Sequence, residues 1–236
     1  AAVAMGFALQ VVEPHMNGPA GEVPVLFRTA GIDQVHVLSG IGTAPAKATP
    51  RAFQDLGLDR IPGTGLLPVI VPGAFDAWMK LLRDHGTFSP HQVMEYAFGY
   101  ARNGFAIAPN CADAIELVGP FFKAELPSSA ALYLPNGKSP ETGTLFRNPA
   151  LAETYERVLR EAKTASSRDA QIEAARSTWY QGFVADAIDI FCRSHEFMDT
   201  SGEPHSGLLE AEDLAGFKAN YEVPITYDYV AGRQTY

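Results

Sequence analysis

Val35-His36-Val37-Leu38-Ser39-Gly40-Ile41-Gly42-Thr43-Ala44-Pro45-Ala46-Lys47-Ala48-Thr49-Pro50 reads as a strand that runs into a glycine-rich loop. Val35 and Val37 alternate with polar positions, the period of a half-buried β-strand. Ser39-Gly40-Ile41-Gly42-Thr43 follows, and its two glycines reach backbone conformations closed to other residues. Pro45 blocks a return to the sheet, and Ala46–Ala48 can begin a helix. A strand that delivers an exposed loop of small residues is a common way to build one wall of a substrate pocket. The same residues also make an ordinary strand–turn–helix connection, and a short glycine motif does not decide between the two.

Working outward, Ala1–Val12 is expected to be a buried helix, with Met5, Leu9 and Val12 at helical spacing. Glu13–Gly21 holds two prolines and two glycines and reads as a loop. Val23–Thr29 reads as a strand with Pro24 near its start, where a missing N–H is tolerated. Ala30-Gly31-Ile32-Asp33 then turns the chain into the strand at Gln34–Leu38 as a hairpin. The two strands are expected to pair antiparallel in a central sheet, with the Ala1–Val12 helix on one face.

Downstream, Leu66–Val71 is a short apolar run between Pro/Gly punctuation and reads as a strand. Gly63-Thr64-Gly65 lacks the spacing of a phosphate loop. Phe75, Trp78, Leu81 and Leu82 share a helix face that ends at His85-Gly86. Ser89-Pro90 starts another helix, with Val93, Tyr96, Ala97 and Tyr100 as its stripe and Asn103-Gly104 as its stop. A helix around Cys111–Lys123 is interrupted by Gly119-Pro120, and residues 126–149 are rich in turn signals. Asn148-Pro149 caps a helix with Leu151, Tyr155, Val158 and Leu159 inward. Arg168–Arg193 is the longest helical stretch, weakened at Gly182. Asp199–Gly207 is a polar loop, Leu208–Tyr221 a short acidic helix, and Val223–Val230 a final strand with Ile225, Tyr227 and Tyr229 alternating. The expectation is an α+β chain, strands near both ends and helices between. Without repeat or linker, residues 1–236 read as a single domain.

The 236 residues are 47% hydrophobic and 19% charged, enough for a substantial core and against disorder. The formal charge is −9 and no cationic run occurs, which argues against nucleic acid as a partner. No apolar run reaches the ~18 residues a membrane-spanning helix needs. Cys111 and Cys192 stand outside any metal-ligand spacing and read as two buried thiols rather than a disulfide. The first residues already lie inside an apolar helical run, so the chain is expected to be a piece of a longer polypeptide.

Self-contained catalytic apparatus is missing from the sequence. His15, in the proline-flanked loop, is the histidine most worth testing as a base, although a useful base needs an orienting partner. His36 is expected to face solvent, opposite Val35 and Val37. His85, His91, His195 and His205 show no ligand spacing. No G-x-S-x-G elbow occurs. Ser39, Thr43 and Thr64 are loop hydroxyls without a neighbouring base. Glu210, Glu212 and Asp213 start a polar helix and suit its dipole. No metal site and no cofactor are called for, and no catalytic residue is assigned within this chain.

The ordered set of loops is more specific than any one of them. Val11-Val12-Glu13-Pro14-His15, Gly42-Thr43-Ala44-Pro45-Ala46, Pro62-Gly63-Thr64-Gly65-Leu66, Val71-Pro72-Gly73, Phe146-Arg147-Asn148-Pro149-Ala150-Leu151-Ala152 and Glu212-Asp213-Leu214-Ala215 occur in this order. Together they closely resemble the large-subunit part of the γ-glutamyltransferase family, cephalosporin acylases and related amidohydrolases included. Only Val230–Tyr236 fits poorly. The resemblance implies an N-terminal nucleophile hydrolase with an α-β-β-α sandwich, a self-cleaving precursor, and a threonine nucleophile at the start of a separate small subunit. That threonine's own amine can act as base, so no His/Asp relay is needed. The partners implied are the small subunit and a small-molecule amide or γ-glutamyl substrate; the compartment, cytoplasmic or exported, stays open.

On the same resemblance, Ser39, Ile41, Gly42 and Thr43 would bind substrate. Members that transfer glutamyl groups carry an arginine two residues before the Thr-Ala-Pro stretch, where it grips the α-carboxylate. That position is Ile41 here. Isoleucine offers apolar surface in place of a bidentate fork, so an amidohydrolase or acylase without γ-glutamyl specificity competes with a glutamyl-transferring enzyme. A non-catalytic structural or binding relative is the alternative from a different class. Arg28 and Arg51 are the arginines nearest in sequence that could take over the grip.

Overall fold

The computed structural model describes residues 1–227, 229–231 and 234–235. In chain order its elements are α1 (Ala2–Val12), β1 (Val23–Arg28), β2 (Val35–Gly40), α2 (Pro50–Asp55), α3 (Ala74–His85), α4 (Pro90–Asn103), β3 (Phe105–Ala106) and α5 (Pro109–Glu125). There follow α6 (Pro127–Tyr133), β4 (Leu145–Phe146), α7 (Pro149–Ala162), α8 (Arg168–Tyr180), α9 (Phe183–Ser194) and β5 (Phe197–Met198). The last are β6 (Pro204–His205), α10 (Ala211–Gly216), β7 (Asn220–Glu222), β8 (Val230–Ala231) and β9 (Gln234–Thr235). Helix and sheet are mixed, as an α+β chain requires.

The main sheet has the order β1-β2-β7, antiparallel throughout. Val25, Leu38 and Tyr221 lie opposite one another, as do Leu26, Val37 and Glu222. Residues directly across a ladder share a face. The face with Leu38 is buried under α3. The other carries Leu26, Val35 and Val37, and Leu26 is 71% exposed.

Behind α3 the helices α1, α4, α7 and α8 form the core. Phe7 meets both Phe75 and Tyr155 edge-on, while Phe75 stacks on Trp179 with centroids 4.3 Å apart. The Tyr155 hydroxyl would be an unpaired polar group there; it donates to Gln10 Oε1 at 2.9 Å. Two starts read from sequence take the capping geometry expected of them. Ser89 forms a reciprocal capping box with Gln92, and Asn148 accepts from the Leu151 N–H at 3.1 Å.

Several expectations are corrected. α1 buries Val3, Phe7 and Val11, and leaves Met5 and Leu9 exposed. An Ala-rich helix that is apolar all round gives no periodicity from which to choose a face. It packs chiefly on α4, and α3 is the helix on the sheet. α4 buries Val93, Met94, Ala97 and Ala101, with Tyr96 and Tyr100 outside. Leu66–Val71 is not a strand: it is buried irregular chain, paired through the Val71 N–H to Thr43. The helix after Pro45 starts only at Pro50, behind a Thr49 cap. Arg168–Arg193 is two helices, broken at Gln181-Gly182. The loop-rich middle contains α6 and β4, and the loop at Asp199–Gly207 closes a small β5–β6 hairpin. The acidic helix is confined to Ala211–Gly216, and the strand that joins the sheet is Asn220–Glu222, ahead of the alternating residues expected to form it. Residues 223–227 belong to no strand; of the expected strand Val223–Val230, Asp228 lies outside the described residues. Cys111 and Cys192 are free and buried in α5 and α9, and burial pushes both thiols up.

Candidate functional site

β2 runs two residues further than its apolar alternation, through Ser39 and Gly40, and so delivers the loop from the sheet edge. Residues 40–43 then lie backbone to backbone with 71–73. A Cβ at Gly42 would stand 1.7 Å from the Val71 carbonyl oxygen, and one at Gly73 would stand 2.2 Å from that of Gly40. The Val71 N–H donates to the Thr43 carbonyl at 3.0 Å. Only glycine permits so close an approach.

Carboxylates fix the loop at both ends. Glu22 Oε1 accepts the Gly42 N–H at 3.1 Å, and Asp213 Oδ1 accepts the Ala46 N–H at 2.8 Å. Glu210 forms a capping box with Asp213 and also pairs with Lys47. The acids at the start of α10 therefore do more than complement its dipole: they tie that helix to the loop.

A second wall comes from Phe217–Glu222, where Asn220 pairs across from Ser39. Its anchor is Asp76, 2% exposed although it carries a charge. Asp76 Oδ2 accepts the Ala219 N–H at 2.7 Å, and Arg176 grips both oxygens, at 2.5 and 3.0 Å. Burial alone would lower the Arg176 pKa, but its bonds to Asp76 and Glu173 outweigh that and hold it above its ordinary value. The Tyr180 hydroxyl accepts from the Asp76 N–H and donates to the Pro72 carbonyl at 2.6 Å, so the same network reaches the segment beneath Gly42.

The two walls enclose an open cleft of about 520 Å³. Ser39, Ile41 and Thr43 line it together with Phe217, Lys218 and Asn220. Gly42 does not line it; its part is the backbone contact with Val71. Ser39 is buried at the cleft floor, whereas Ile41 is 51% exposed at its edge. Neither candidate arginine reaches it. Arg28 pairs with Asp33 at the far end of the β1–β2 hairpin, and Arg51 pairs with Asp55 within α2. The cation that lines the cleft is Lys218, from a stretch assigned by sequence to an acidic helix. Asp76 left one legible signal: a carboxylate inside the apolar run Phe75-Asp76-Ala77. Lys218 and Asn220 left none.

The histidines lie elsewhere. His15 does have a carboxylate neighbour, Glu13 at 3.5 Å, and Asn110 at 3.0 Å, but it lines a separate small cavity with Phe122 and Tyr133. His36 does not face solvent: it stacks on Phe27, 6.0 Å from His85, with Nε2 buried, because its side of the sheet is the one α3 covers. His205 bonds Asp199 at 2.8 Å inside the β5–β6 hairpin. The Gly63 N–H donates to Thr200 Oγ1 at 2.7 Å, so the Gly63–Gly65 loop packs on that hairpin.

An α+β chain with a glycine loop tied to one wall of an open cleft defines the class of molecule. The particular family follows from comparison with known proteins. The family model for gamma-glutamyltranspeptidase matches residues 1–236, and the chain belongs to that family. It is 29% identical over 234 residues to the glutathione hydrolase-like YwrD proenzyme of Bacillus subtilis (strain 168), covering 97% of this chain and 39% of that protein. It is 30% identical over 240 residues to the acylase ACY 1 proenzyme of Pseudomonas sp. (strain SE83), covering 97% and 38%. Among solved structures, LmbA2991HD is 54% identical with a TM-score of 0.92, covering 97% of this chain and 39% of that one. The chain thus spans about two-fifths of the length of these relatives.

Proposed function

We propose that this chain is one domain, the large-subunit portion of a γ-glutamyltransferase-like amidohydrolase or acylase. The enzyme hydrolyses an amide or transfers its acyl group through an acyl-threonine intermediate on a small subunit freed by self-cleavage. This chain supplies the substrate side: Ser39, Ile41 and Thr43 form one wall of the acyl pocket, and Gly42 sets that wall's backbone. The exposed sheet face with Leu26 and Val35 is the surface that the small subunit covers, which completes an α-β-β-α sandwich.

The observation that carries this reading is the convergence of Ser39, Ile41 and Thr43 on one cleft, with an aliphatic side chain where glutamyl-transferring members hold a guanidinium. Without that charge-assisted contact, worth about 1.5–3 kcal/mol, γ-glutamyl donors are poor substrates and acyl groups without an α-carboxylate are preferred. The test is expression of the full-length protein. Mass spectrometry should show two subunits, and the processed enzyme should turn over simple acyl anilides faster than γ-glutamyl anilide. Ile41→Arg should shift relative kcat/KM toward the γ-glutamyl donor by about ten- to hundredfold. A single unprocessed chain without turnover would make it a non-catalytic relative. An unmodified enzyme that already prefers the γ-glutamyl donor would refute the role of Ile41.

A further inference from the structure

Ala219 and Asn220 alternate along an extended segment, so they face opposite ways. Asn220 lines the candidate cleft; Ala219 lines a second cavity of about 510 Å³ between α3, α8 and this segment. Four cations line that second cavity: Lys80 and Arg83 from α3, Arg176 from α8, and Lys218. Asp76 and Glu173 line it too, and Asp84 sits beside Arg83 and Lys80. Among the described residues, four cations against three carboxylates leave one positive charge over, in a cavity whose other polar groups include Ser177, Tyr180 and Gln181.

The donors are unevenly used. Arg176 spends Nε and Nη2 on Asp76, and Nη1 on Glu173. Arg83 gives Nε to Asp84 and Nη1 to Glu173, which leaves Nη2 without a partner among the described residues. Lys218 is exposed and makes no ion pair or hydrogen bond among them. Among the described residues Glu173 is the one half-exposed carboxylate facing the cavity, and Arg83 and Arg176 bracket it from both sides, which offsets its repulsion of an incoming anion.

We propose that this cavity binds a compact oxyanion carrying two negative charges, held between the Arg83 Nη2 group and the Lys218 amine. A planar guanidinium fork and a mobile ammonium suit such a ligand, whether its oxygens belong to phosphate or to a short dicarboxylate. Lys218 lines both cavities, so the bound anion engages the wall of the candidate cleft from behind.

The test is calorimetric titration of the full-length protein with inorganic phosphate and, separately, with succinate, each against sodium chloride at equal ionic strength. Saturable binding of one or both is expected, absent with chloride; which anion saturates identifies the source. Lys218→Met, at an exposed position, should weaken it about ten- to hundredfold, and Arg83→Gln should do the same. The bound anion should also slow acetylation of Lys218 by an amine reagent, a readout that needs neither variant and no catalysis. Absence of saturation with both anions at millimolar concentration would overturn the proposal. So would binding that Lys218→Met leaves unchanged, or a Lys218 that reacts equally fast with and without the anion.

Discussion

Gly42→Ala puts a methyl carbon almost on top of the Val71 carbonyl oxygen, 1.7 Å away. Even a favourable carbon–oxygen contact sits at about 3.3–3.6 Å, so the two backbones must part by roughly 1.6 Å or more. Neither side can yield cheaply, because both are main chain. The Thr43–Val71 backbone bond and the bond from the Gly42 N–H to Glu22 stand at 3.0 and 3.1 Å, and both are lost at that separation. A neutral bond contributes about 0.5–1.5 kcal/mol and one to a charged group about 1.5–3, so the loss is roughly 2–4.5 kcal/mol. Reduced freedom of the unfolded chain returns only about 0.4–1 kcal/mol. For a chain of this size each kcal/mol moves Tm by about 2–4 °C, so Gly42→Ala should lower Tm by roughly 2–16 °C. Differential scanning calorimetry measures it, with Gly18→Ala as control: there a Cβ meets nothing within 4 Å. A Gly42→Ala protein as stable as the unmodified one, or a Gly18→Ala protein that falls equally, would refute the close-approach argument.

Three further outcomes are expected. Asp76→Ala strips a buried arginine of its bidentate partner and the Ala219 N–H of its acceptor, which should cost about 3–5 kcal/mol in urea unfolding and speed amide exchange across residues 217–222; a loss below about 1 kcal/mol would exclude Asp76 as the anchor of that wall. Burial tends to raise the Asp199 pKa from its usual 3.8, but the Ser201 hydroxyl and N–H and His205 outweigh it and hold it lower. A depressed carboxylate stabilises the fold above its ordinary value and loses that contribution as pH falls through the folded one. Stability should therefore drop in acid, and Asp199→Asn should flatten that drop; an unchanged pH profile would disprove the linkage. The isolated 236-residue chain should show no amide turnover and should bind a dye for exposed apolar surface, because Leu26, Val223 and Ile225 stand open; anilide cleavage by the pure fragment would place a nucleophile in it.

Helix starts were legible because a cap is a local chemical event: Ser89-Pro90 and Asn148-Pro149 carry their own hydrogen-bond partners within three residues. The β1–β2 hairpin was legible for the same reason, its turn and its alternation being adjacent in sequence. The third strand was not. Alternation placed it at Val223–Val230, but pairing is a long-range matter, and it is Asn220–Glu222 that finds β2. Periodicity also misled at α1, where both helix faces are apolar and only the bulk of Phe7 against Phe75 selects one. At the candidate site the first wall could be read, since it is continuous with β2. The second wall could not, because Asp76 holds Ala219 across 143 positions of sequence.

The two walls are built alike, and that likeness bears on position 41. In each, a carboxylate from a distant element takes up a backbone N–H: Glu22 for Gly42, Asp213 for Ala46 and Asp76 for Ala219. The path of the main chain is thereby set through residues 42, 46 and 219, and by the glycine contact with Val71, without calling on the side chain between them. Ile41 is half exposed and packs on no core cluster, so its side chain is left out of the scaffold's energetics. A surface substitution away from packing and hydrogen-bond networks usually changes stability by no more than about 0.5 kcal/mol. Replacement of Ile41 by arginine, the change on which the proposed specificity test depends, should therefore leave the wall's shape intact. On the proposed reading, scaffold and selector are separate, so Ile41→Arg should change substrate preference and leave stability within about 0.5 kcal/mol.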